Sequence, residues 1–129
     1  MRILAVDDCL EWITTHSILA TATFGEDTEV VAANSAFEAI NIYSHEYEAH
    51  PFDLVITDLQ MEKTYEPLYA GEWLIREIRN LNENQHILIV SSAYNIEHIA
   101  NMNNTDYICK RNIVSDKECY ISKLHNLYD

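Results

Sequence analysis

Two apolar runs of strand length, each ending on carboxylates, constrain this chain more than anything else in it. Leu54-Val55-Ile56 follows Pro51 without alternation and continues through Thr57 into Asp58, and Arg2-Ile3-Leu4-Ala5-Val6 continues into Asp7 and Asp8. An unalternating run has no polar face to offer water, so both read as strands buried on both faces, as in a parallel sheet covered by helices. A carboxylate just past the C-terminal end of such a strand stands where open α/β sheets hold their ligands. If the first and third strands are neighbours, three carboxylates converge at one rim, and their repulsion raises pKa values or demands a cation. Hard oxygen ligands with room for water suit magnesium.

Around these runs the chain alternates. Cys9 to Phe24, closed by Gly25, reads as a helix, and Thr28 to Ala33 as a second strand. Ser35 with Glu38 is a capping-box pattern that opens an amphipathic helix carrying Ala36, Ile40, Tyr43 and Tyr47. After Asp58 comes a loop from Leu59 to Ala70, then a helical stripe of Trp73, Leu74, Ile75, Ile78 and Leu81 following Gly71. His86 to Ser91 is a fourth strand, Asn95 to Met102 leaves room for only a short helix, and Thr105 to Cys109 is a fifth strand ending at Lys110. Ser115 with Glu118 repeats the capping-box signal before Tyr120, Ile121, Leu124 and Leu127. Five strands alternating with five helices imply a doubly wound parallel sheet of order 2-1-3-4-5, with helices on both faces and its switch point between strands one and three. Those are the strands that end in Asp7, Asp8 and Asp58, and the same rim collects Ser91, Ser92 and Lys110.

Composition narrows the class. At 129 residues and 48% hydrophobic content, the chain is the size of one ordinary domain with a single core. No linker, repeat, signal peptide or membrane-length apolar run is visible, so one soluble, cytoplasmic domain spanning 1–129 with no output domain is expected. A net charge of −13, from 21 acidic against 8 basic residues, repels phosphate backbones and anionic membranes and argues against direct binding of nucleic acid. Cys9, Cys109 and Cys119 lack CxxC spacing and read as free thiols. The 6 histidines show no pair at helical metal-ligand spacing and read as surface or packing residues.

Asp7-Asp8 after the first strand, Asp58 within Asp-Leu-Val-Ile-Thr-Asp-Leu-Gln-Met, Ser92-Ala93 after the fourth strand and Lys110 after the fifth together resemble the response-regulator receiver domain of two-component signalling, whose fold is flavodoxin-like. The resemblance covers the whole chain. It implies that Asp58 is the phosphoacceptor, taking a phosphoryl group from a histidine kinase or phosphotransfer protein. It implies further that Asp8, less directly Asp7, with Asp58 and the backbone carbonyl of Gln60, hold magnesium, and that Lys110 pairs with Asp58 at rest and contacts the phosphoryl oxygens afterwards. Ser92, with Ser91 as its rival, and Tyr107 would form the switch that alters affinity for a downstream protein. Gln60 and Tyr94 would flank the path of an attacking water, bulky Tyr94 slowing loss of the phosphoryl group.

The sequence departs from the family in four places. Arg111 follows Lys110 where the family usually has a proline behind a cis bond, so a trans bond is expected here. Glu62 stands where a proline often follows Met61. Gly71 lies 13 positions after Asp58, several more than usual, enlarging the loop beside Asp58 with Lys63 to Tyr69. Lys110 lies only 18 positions after Ser92, which shortens the fourth helix. A degenerate receiver acting as a scaffold without phosphorylation is the alternative these departures leave. An aspartate-nucleophile phosphatase of the haloacid-dehalogenase type would want a second aspartate where Gln60 stands.

Overall fold

A computed structural model describes residues 1–128. The apolar runs form β1 (Arg2–Val6), β2 (Glu29–Ala33), β3 (Leu54–Thr57), β4 (Ile87–Ser91) and β5 (Asp106–Cys109), all parallel in the order β2-β1-β3-β4-β5. The connections are helical: α1 (Leu10–Phe24), α2 (Ala36–Glu46), α3 (Ala70–Leu81), α4 (Ile96–Asn103), α5 (Lys110–Ser115) and α6 (Lys117–Tyr128). Because side chains alternate across a strand, β3 serves two cores at once. Val55 joins Leu4, Val6, Ile87 and Ile89 beneath α2, α3 and α4. Leu54 and Ile56 join Ile3, Leu88, Val90 and Ile108 beneath α1, α5 and α6. The order, the helices on both faces and the short α4 agree with the expectation.

The last segment does not. In place of one helix opened by Ser115 there are two, separated at Asp116, whose carboxylate accepts the Glu118 N–H at 3.0 Å while Ser115 Oγ donates to the Arg111 carbonyl at 2.8 Å. Ser115 is already the last residue of α5, so its hydroxyl turns back into that helix and the cap passes to its neighbour. The Lys110–Arg111 bond is trans, as expected.

At α2 the capping signal is real: Ser35 Oγ accepts the Glu38 N–H at 3.0 Å, and Glu38 Oε1 accepts the Asn34 N–H at 3.2 Å. A second carboxylate arrives from far along the chain. Glu62 accepts the N–H of Ala36 at 2.8 Å and of Phe37 at 3.1 Å, strapping the enlarged loop after Asp58 to the positive end of α2. The same loop is held to α3 by Tyr65 stacked on Trp73, ring centroids 3.9 Å apart. Glu62→Ala is expected to cost about 1 kcal/mol, the value of a helix cap, read as a lower urea midpoint at unchanged slope.

Candidate functional site

The register of the sheet builds the site. Val6 pairs with Thr57 in the parallel ladder, and the ladder runs one bond further on each side, with Asp7 N donating to the Ala33 carbonyl and Asp58 N to the Val6 carbonyl. Asp7 and Asp58 are thereby fixed side by side at the rim. Asp8, the next residue, is exposed, and one carboxylate oxygen from each of the three lies within 4.8 Å of the others. On the far side of β3, Ser91 pairs with Cys109 at the ends of β4 and β5, so Ser92 and Lys110 both leave the sheet at this rim.

Lys110 closes the site. Its Nζ lies 2.9 Å from Asp58 Oδ2 in a buried hydrogen bond and 2.8 Å from Asp7 Oδ2, the latter an ion pair too poorly aligned to count as a hydrogen bond. Asp58 Oδ1 accepts the Leu59 N–H at 2.7 Å and the Gln60 N–H at 3.3 Å, and Asp7 Oδ1 accepts the Cys9 N–H at 2.9 Å. Asp7 Oδ2 is therefore a buried carboxylate oxygen with a charge beside it and no aligned donor. Together with two further carboxylates of hard oxygen character, that vacant acceptor fits a divalent cation such as magnesium.

Burial pushes the Asp7 carboxyl above its ordinary value, against the pull of Lys110 and the Cys9 N–H, with the charge of Asp58 raising it further. For Lys110, burial works to lower the pKa, but the Asp7 and Asp58 carboxylates beside it outweigh burial and hold the ammonium above its usual range. A carboxyl group whose pKa is raised on folding adds stability below its unfolded value, near 3.8, and loses that contribution as pH rises through the folded value. At neutral pH the Asp7 charge is thus a cost. Asp7→Asn, which keeps an acceptor for Cys9, is expected to raise the urea midpoint of the metal-free protein at pH 7, the gain shrinking as pH falls toward 3.8.

The structure places the other predicted residues less centrally. Ser92 is exposed, whereas Ser91 is buried with its Oγ accepting the Ala93 N–H at 3.2 Å. Tyr107 is half-buried, with Lys123 Nζ 6.0 Å from its ring centroid. Tyr94 is 92% exposed, and Gln60 is exposed too.

Two further residues touch the site unannounced by any motif. Gly71 lies under the Asp58 backbone: its N–H bonds the Leu59 carbonyl at 3.1 Å, and a Cβ there would fall inside contact with the Asp58 carbonyl oxygen and 2.8 Å from Leu59 Cα. Trp12 of α1 presents its ring to Lys110, with Nζ 5.0 Å from the ring centroid, and behind it lies buried His16, whose Nδ1 is 2.6 Å from Tyr120 Oη. Burial, with the nearby charge of Lys110, lowers His16 to about 3, so this wall is uncharged at neutral pH.

No protein-family model matches the chain, and no curated protein matches it. Solved structures do. A response regulator receiver domain protein from Clostridium thermocellum shares 23% identity over 97% of this chain and 94% of its own, at a TM-score of 0.71. The phosphorylated cyanobacterial phytochrome response regulator RcpA shares 20% over 98% and 92%, at 0.77. CheY of Borrelia burgdorferi, solved with CheX, BeF3 and magnesium, shares 19% over 85% and 78%, at 0.70. This chain has the response-regulator receiver fold. In receiver terms, the carboxyl rim of β1 and β3 carries the acidic cluster, and the ends of β4 and β5 lead into a serine and a lysine. Among the described residues, no helix of this receiver fold is long and apolar enough to cross a membrane.

Proposed function

We propose that the chain is a phosphoacceptor receiver that takes a phosphoryl group on Asp58 from a histidine kinase or phosphotransfer protein and signals by a changed affinity for another protein. The observation that carries this reading is the pairing of Asp58 with Lys110 at 2.9 Å inside a three-carboxylate cluster, at the carboxyl rim of a receiver fold. A carboxylate oxygen of Asp58 forms the new O–P bond as the donor's bond to phosphorus breaks, and the electron pair leaves with the donor. Lys110 offers its ammonium to the phosphoryl oxygens as a point charge, and the Leu59 and Gln60 N–H groups orient the nucleophile. Asp7, Asp8, Asp58 and the Gln60 carbonyl would hold magnesium, which when bound offsets the charge that gathers on the phosphoryl oxygens. The Borrelia burgdorferi CheX–CheY complex with BeF3 and magnesium and the phosphorylated cyanobacterial regulator support the same chemistry here.

Ser92 is the hydroxyl that would meet the new phosphoryl group, since it leaves β4 at the same rim as Lys110 and, unlike Ser91, is exposed rather than buried in the sheet. Tyr107, half-buried on β5, is the aromatic that would respond, and the exposed Tyr94 and Gln60 would border the approach of water. Incubation of the purified protein with a small-molecule phosphodonor and magnesium tests the proposal. One phosphoryl adduct by intact mass, absent from Asp58→Asn, is expected. No adduct on the wild-type chain would favour a phosphorylation-independent scaffold, and donor turnover without a trapped adduct would favour a phosphatase.

A further inference from the structure

Lys110 Nζ carries three donors. Asp58 Oδ2 accepts one, Asp7 Oδ2 balances the charge at 2.8 Å without an aligned bond, and the third group around the ammonium is the ring of Trp12, its centroid 5.0 Å away. A cation within about 6 Å of an indole centroid is drawn to the ring face, and the attraction is largest where water is excluded. Lys110 is such a case, being only 9% exposed. Trp12 itself is half-buried, packed against the core beneath α1 and α6, and lines an open groove with Glu11, Thr15, Ile113, Val114 and Lys117.

We propose that Trp12 is a positioning residue for Lys110, its ring holding the ammonium over the rim while Asp58 changes from carboxylate to acyl phosphate. The two carboxylates that otherwise fix Lys110 do not survive the reaction unchanged: Asp58 loses its free charge to the new O–P bond, and Asp7 is drawn upon by any bound cation. The ring face is unaffected by either event, so it keeps Nζ in reach of the incoming phosphoryl oxygens. Lys110 also begins α5 directly after β5, so the packing of α1 against this junction, through Trp12, reaches the site from outside the strands.

The inference rests on Asp58 phosphorylation for its kinetic consequence, and two variants separate aromatic positioning from mere packing. Trp12→Phe keeps a ring face, and Trp12→Leu keeps apolar bulk without one. With a small-molecule phosphodonor and magnesium, Trp12→Leu is expected to slow phosphorylation about thirtyfold, the size of one desolvated cation–π contact, while Trp12→Phe stays within about threefold of wild type. Equal rates for the two variants would overturn the proposal, because packing does not distinguish them. A second readout needs no phosphorylation. In protein with isotope-labelled lysine, the Lys110 ε-methylene protons are expected upfield from the ring current of Trp12, to remain shifted in Trp12→Phe and to return to the ordinary lysine position in Trp12→Leu. If wild type takes no phosphoryl group, the function proposed above fails while this spectrum still decides the positioning: an unshifted Lys110 in wild type sinks it.

Discussion

Without divalent cation, Lys110→Met unfolds at a urea concentration well below wild type, a loss of about 3–5 kcal/mol, and magnesium restores most of it. The size follows from what the substitution leaves behind. Asp7 and Asp58 are buried, at 1% and 4% exposure, and Lys110 Nζ is the cation at both. Removing one member of a buried ionic group strands the remaining charges in a poorly solvating site, which costs about 3–5 kcal/mol, far more than an exposed pair would. Methionine keeps the length of the stem, so little of the loss comes from packing. A divalent ion held among Asp7, Asp8 and Asp58 would supply the missing positive charge and, binding the folded state, would stabilise it by mass action. A Lys110→Met protein with a near-normal midpoint and no response to magnesium would show that the three carboxylates are not an electrostatic unit.

Gly71→Ala is expected to be nearly as damaging, for a steric reason. A Cβ at Gly71 meets backbone, the Asp58 carbonyl oxygen and Leu59 Cα, rather than the tip of a side chain that could swing away. Either α3 withdraws from β3 or the Asp58 peptide turns, and each breaks the Gly71 N–H bond to the Leu59 carbonyl. Overpacking against such a rigid neighbour costs about 3 kcal/mol. Thermal unfolding measures the loss. Because the atoms displaced belong to Asp58 and Leu59, and the Leu59 N–H bonds the Asp58 carboxylate at 2.7 Å, the surviving folded fraction is also expected to be phosphorylated more slowly. A Gly71→Ala protein with unchanged stability would mean that α3 can slide freely on the sheet.

Much of this arrangement is legible in the chain itself, and the reasons are local. The unalternating runs at Ile3–Val6 and Leu54–Ile56 have no solvent face, which forces them into a covered parallel sheet. The alternation with helical stripes then leaves few orders, and the observed one puts Asp7 and Asp58 side by side. The Ser35–Glu38 cap is legible because its bonds close within four residues. The same pattern at Ser115 misled because the chain between β5 and α6 had already coiled into α5, a consequence of how Ile113 packs against the sheet rather than of the neighbouring residues alone.

The sequence by itself determined the covered parallel sheet and the meeting of Asp7, Asp8, Asp58 and Lys110 at its rim, since hydrophobic periodicity and strand ends are written in consecutive residues. Only the tertiary structure decided that Lys110 is shared between Asp7 and Asp58, that Trp12 faces it, that Glu62 straps the enlarged loop to α2 and that nothing larger than glycine fits beneath Asp58. Each of these is a contact between residues far apart in the chain, set by distances of a few tenths of an ångström that no pattern of residue types encodes.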